Sequence, residues 1–175
     1  ELGLAGGGTL PFAVSGRRDA DGALRGSIEQ LRWVDAEGDW WHLAEPVIAR
    51  LEPAMRLVEV APWRLEGDGL EIAGEARLRW PSVGEVDFVV RGLEGRRFGG
   101  VLPEAIRGGR IESLQVRAAW DHGPVQIEGT ARATYTPVAG AVYAVEADFV
   151  TQMGDLALGS VRVADASGVV LRGTG

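Results

Sequence analysis

Between residues 70 and 80 the chain reads LEIAGEARLRW, with apolar and polar side chains alternating along the run. In an extended strand this puts Leu70, Ile72, Gly74, Ala76, Leu78 and Trp80 on one side. Glu71, Glu75, Arg77 and Arg79 fall on the other. VQIEGTARATY at 125–135 repeats the pattern, setting Val125, Ile127, Gly129, Ala131, Ala133 and Tyr135 opposite Gln126, Glu128, Thr130, Arg132 and Thr134. A period of two marks strands with one dry face and one wet one. Runs of similar character predict further strands at 9–16, 25–34, 40–44, 47–52, 55–61, 84–91, 110–120, 138–150, 155–163 and 168–173. Turn residues separate them at intervals typical of an all-β domain. FGGVLPEAIRGGR at 98–110 breaks the pattern. Pro103 suits a first helical turn, Glu104 favours an N-terminal end, and Arg107 before Gly108-Gly109 closes it, which predicts one short helix near 102–107.

The two alternating runs align without gaps at an offset of 55, sharing the frame apolar-x-Ile-x-Gly-x-Ala-Arg-x-x-aromatic. A second pair aligns GSIEQLRW at 26–33 with GRIESLQV at 109–116. Repetition at strand period predicts an elongated sheet built by adding similar strands, rather than a closed catalytic barrel. Three short strings, DADG at 19–22, DAEG at 35–38 and DASG at 165–168, invite a calcium reading. Each lies between two strand-like runs, where Asp caps its own backbone and Gly takes a positive φ. An EF-hand loop needs a Glu at its twelfth position, and counting from Asp19 that position is Gln30. The strings are read as hairpin turns.

The composition removes several kinds of chemistry. The chain of 175 residues contains no cysteine, which rules out disulfides, zinc–thiolate sites and a cysteine nucleophile. All 18 basic residues are arginine, the net charge is −7 and the two signs are mixed, so no basic platform for nucleic acid is present. His42 and His122 lie far apart with no ligand spacing around either. The serines lack a nucleophile elbow, and GLAGGGTL at 3–10 has no lysine to complete a phosphate loop. Carboxylates such as Glu71 and Glu75 sit on a wet strand face, where no burial would tune an acid. The expectation is a non-enzyme without metal or cofactor.

Tryptophan is the remaining signal, with six residues at 33, 40, 41, 63, 80 and 120. They suit a core, a sugar-stacking platform or an apolar groove. A platform on Trp40 and Trp41 would make the chain a carbohydrate-binding β-sandwich, but neighbours in a strand point to opposite faces. A purely structural β spacer with a filled core is a further alternative. A sheet with one apolar face must cover it. If it curls incompletely, the interior stays open to an elongated apolar ligand. Ile72, Leu78, Trp80, Val125, Ile127 and Tyr135 would line that groove, with Gly74, Ala76, Gly129, Ala131 and Ala133 leaving space.

The string VLPEAIRGGRIESLQVRAAWDHGPVQIEGTARATY, with glycine-punctuated strands and the closing phrase ASGVVLRGTG, resembles the AsmA-like family of Gram-negative bacteria. Within it the TamB-type translocation and assembly module is nearest, with the type II secretion protein N a related possibility. The resemblance covers 98–175 well and 1–97 loosely. It implies a single β-repeat segment, 1–175, of a longer protein, weakly subdivided at 97/98 and starting at Glu1 as an excised piece would. The fold implied is an elongated, curved antiparallel sheet folded on itself like a taco, with an open apolar groove. The parent would be periplasmic, anchored in the inner membrane. It would carry acyl chains of phospholipid or another lipid toward the outer membrane, assist outer-membrane protein assembly, or both, with an outer-membrane β-barrel as partner. The tryptophan content departs from the family's texture.

Overall fold

The computed structural model describes residues 2–3, 9–35, 38–52, 57–79, 82–98, 108–137, 140–152 and 155–174. The helix expected near 102–107, and Trp80, lie outside them. The described residues are all-β and antiparallel. They form one 14-stranded sheet: β1 (Leu2–Gly3), β2 (Thr9–Leu10), β3 (Phe12–Arg18), β4 (Leu24–Asp35), β5 (Gly38–Leu43), β6 (Val47–Leu51), β7 (Val58–Gly67), β8 (Leu70–Arg79), β9 (Val83–Glu94), β10 (Gly109–Asp121), β11 (Gln126–Tyr135), β12 (Tyr143–Gln152), β13 (Asp155–Asp165) and β14 (Gly168–Gly173). A 3-10 turn, Gly95–Phe98, follows β9.

From β7 onward each strand pairs with the next in sequence. Most of the connections are short, which favours antiparallel neighbours; β9 and β10 pair although a longer segment separates Glu94 from Gly109. Asp68-Gly69 is a two-residue turn, with φ of 41° and 76° between the paired Gly67 and Leu70. The first third is less regular. β4 pairs with β3 and β6 over its first half and with β2 and β5 over its second. β5 and β6 therefore lie end to end between β4 and β7, interrupted at Pro46, and β2 and β3 flank Pro11 in the same manner. Proline lacks the N–H a ladder needs, so each proline divides what would be one strand into two. β9 and β10, on either side of the 97/98 point, pair along most of their length.

The hairpin reading of the Asp–Gly strings holds. Asp21 Oδ1 accepts the Ala23 N–H at 3.0 Å while Gly22 sits at φ 85°. Asp165 Oδ1 accepts both the N–H and the hydroxyl of Ser167, at 2.8 and 2.6 Å. Asp35 pairs directly with Gly38 across the third turn.

The core is very small. Ala23, Leu65, Leu70 and Val90 are the only buried apolar residues among those described. Leu70 and Val90 are each 4% exposed, and Trp41, Ile72, Phe88, Leu93 and Leu114, all from this sheet, pack against them. A compact chain of 18.6 kDa exposes about 8,200 Å² by the usual size scaling; this one exposes 11431 Å². Single-sheet architecture accounts for the excess, because among the described residues all strands belong to one sheet and no second sheet packs on it.

Candidate functional site

Cross-strand register collects the apolar residues into rows that run across the strands. One row is Leu65, Ile72, Val90, Leu114, Ala131, Ala147 and Val161, each opposite the next on β7 to β13. The next is Trp63, Gly74, Phe88, Val116, Gly129 and Phe149. A third is Val60, Ala76, Val86, Ala118 and Ile127, and at one margin Leu78, Gly84 and Trp120 follow one another. Directly opposed residues share a face, so these rows make one continuous apolar surface. Most of its side chains are half-buried.

The expected groove residues divide. Ile72 and Leu78 on β8, and Ile127 and Tyr135 on β11, are half-buried on this surface. With β9 and β10 between them, the two pairs stand three strand spacings apart, about 14 Å. Tyr135 pairs directly with Tyr143 on β12. Val125 departs from expectation. β11 begins at Gln126, and Val125 follows Pro124 out of the preceding turn, 43% exposed. The space expected at Gly74 and Gly129 is also corrected, since rings from the neighbouring strands fill it. A Cβ on Gly74 would come within 3.0 Å of the Trp63 ring, and one on Gly129 would collide with the Phe149 ring. The two repeats thus share a ring-over-glycine contact as well as a sequence frame. Trp63 and Phe88, on either side of Gly74, have ring centroids 6.3 Å apart, tilted by 48°.

The middle of the surface comes from residues the periodicity did not single out: Val86, Phe88 and Val90 on β9, and Leu114, Val116, Ala118 and Trp120 on β10. Their signal was present in β10, where LQVRAAW alternates. In β9 the run VDFVV is apolar on both parities and hides it.

The opposite face pairs its own charges. Arg77 bridges Glu59 at 2.8 Å, Arg91 bridges Glu71 at 2.9 Å, and Arg132 and Arg162 flank Glu146 at 3.4 and 3.8 Å. Arg117 bonds Glu85, which raises its already high pKa, and Asp87 adds to the effect. Asp21 is held below the ordinary carboxylate range chiefly by the Ala23 N–H, with Arg50 contributing. Asp165 is lowered by the Ser167 hydroxyl and N–H. Among the described residues no cluster of acidic or histidine side chains has the geometry to hold a metal, and no helix is long and apolar enough to cross a membrane.

No protein-family model, curated protein or solved structure matches the chain.

Proposed function

We propose that this chain is a periplasmic segment of an AsmA/TamB-like protein whose apolar face shelters lipid acyl chains in transit between the inner and outer membranes. The observation that carries the reading is the contrast between the two faces of one sheet. One face satisfies its charges with its own ion pairs, while the other presents uninterrupted apolar rows on which, among the described residues, no second sheet packs. A surface without polar anchors suits a ligand without polar demands along its length. Each CH₂ moved out of water contributes about 0.8 kcal/mol, so a chain covering roughly ten of them binds well by area alone. A spacer with a filled core fits poorly with four buried apolar residues. A sugar platform fits poorly with Trp41 packed against the Leu70–Val90 cluster.

The deciding experiment is organic extraction of the purified protein followed by mass spectrometry, with photo-crosslinking residues placed at Ile72, Leu78 and Ile127 in cells. Co-purified phospholipid or fatty acid, and labelling at all three positions, are the expected results. A lipid-free protein that never labels would end the proposal.

A further inference from the structure

At β14 two cross-strand rows run out at an open edge. Among the described residues β14 pairs with β13 alone, and every residue along it is exposed, Val170 and Leu171 each to 56%. An edge strand turns a row of backbone N–H and C=O groups outward without partners. On the apolar face Ala133, Val145, Val163 and Leu171 stand opposite one another, and on the charged face Arg132, Glu146, Arg162 and Arg172 do so. The charged row does not balance. Glu146 serves both Arg132 and Arg162, at 3.4 and 3.8 Å. Arg172 stands directly opposite Arg162, and among the described residues it has no ion pair. Like charges directly opposed destabilise a sheet. Elsewhere an arginine between apolar neighbours meets a glutamate between apolar neighbours. Ala76-Arg77-Leu78 faces Val60-Glu59-Val58, and Val161-Arg162-Val163 faces Ala147-Glu146-Val145. Leu171-Arg172-Gly173 is a tripeptide of the same kind, but β13 offers it an arginine.

We propose that β14 is a docking edge for an extended segment of another polypeptide, which joins the sheet as a further strand and sets an apolar–acidic–apolar tripeptide against Leu171-Arg172-Gly173. The inference stands apart from the lipid reading, because it concerns the margin of the sheet and not its apolar face. In strand addition the main-chain hydrogen bonds supply affinity and alternate side chains supply specificity. Here a carboxylate opposite Arg172 relieves its opposition to Arg162, and an apolar neighbour covers Leu171. A second copy of this chain does not meet those terms. The other edges among the described strands are β1, LG, and β3, FAVSGRR, and neither they nor β14 contains an acidic residue. A charge on an edge ordinarily deters pairing. Arg172 deters these basic or neutral edges and favours an acidic strand.

The probe is a fluorescent synthetic peptide with the sequence of residues 143–152, YAVEADFVTQ, which carries Val145-Glu146-Ala147, alongside the same peptide with Glu146→Lys. The whole chain should bind the first peptide in an anisotropy titration, and hydrogen exchange should slow at the amides of residues 169–172. Arg172→Glu should weaken that binding about tenfold and tighten binding of the Glu146→Lys peptide by a similar factor. Arg172→Gln should fall between the two, and it decides alone if Arg172→Glu does not fold. No binding by the wild type, or equal binding by wild type and both variants, would overturn the inference. Binding that leaves the β14 amides unprotected would overturn it too, by showing a contact with charge only. Sedimentation of the wild type as a dimer with protected β14 amides would give the edge to a second copy and end the proposal. None of these outcomes bears on lipid retention, which is read separately.

Discussion

At Gly92 the backbone takes φ +69°, and a Cβ there would run into the carbonyl oxygen of Gly69 across the hairpin. Gly69 itself has φ +76° with open space around its Cβ site. Gly69→Ala should therefore cost only the left-handed penalty, about 1 kcal/mol, and Gly92→Ala about 3 kcal/mol or more because strain and collision add. Urea unfolding of both variants checks this, and equal losses would contradict it. A second residue-level prediction concerns Asp165, whose pKa is lowered first by the Ser167 hydroxyl. A depressed folded pKa means its stabilising contribution is present above the ordinary carboxylate value, on the order of pH 4, and is lost as pH falls through the folded value. Ser167→Ala should move the Asp165 midpoint upward in a carboxyl-carbon NMR titration; an unmoved midpoint would refute the assigned cause. At this scale the sequence was readily legible. Asp-x-x-Gly between strand-like runs encodes a turn whose capping bond and positive φ are both local. The ring over Gly74 was not legible, because Trp63 reaches it only through strand pairing.

Among the elements, β8 and β11 were readable because their two faces differ in chemistry at nearly every step. β7 was read short, as 55–61 rather than Val58–Gly67, for a physical reason. Its register slips between Val60 and Trp63, around Pro62, so that apolar residues an odd number of steps apart share a face. Strict alternation cannot follow a chain through a bulge. The same two-faced construction makes a sharp prediction for single strands. Leu78→Asp and Ile127→Asp put a carboxylate into the apolar rows and should abolish lipid co-purification. Arg77→Asp removes an exposed bridge to Glu59, a pair of a kind worth about 1 kcal/mol or less, and should leave lipid binding near wild type. Glu128→Lys on the same face should behave likewise. Comparable lipid loss from both sets, measured by mass spectrometry on folded protein, would show that overall stability and not the apolar face governs retention.

For the whole molecule, strand order within β7–β9 and within β10–β14 followed from the succession of short connections, whereas the β9–β10 pairing across residues 95–108 and the end-to-end placement of β5 and β6 did not. Neither did the small core. A chain of this length ordinarily buries about 70% of its unfolded surface. The unfolded chain of 18.6 kDa would expose about 27,000 Å², so with 11431 Å² still exposed it buries only about 58%. The urea m-value scales with area exposed on unfolding, so it should lie about one-sixth below that of a compact domain of equal length. An acyl ligand supplies part of the missing cover. Because it binds the folded sheet and not the unfolded chain, palmitate at a hundredfold excess over its Kd should stabilise by about 2.7 kcal/mol. For a domain of this size that corresponds to a rise in Tm of roughly 5–11 °C. Calorimetry with and without palmitate reads both quantities' consequences directly. An ordinary m-value would mean the apolar face is covered in solution, by a second copy or by the chain itself. A normal response to urea together with no shift on palmitate would leave no open surface for a lipid to occupy.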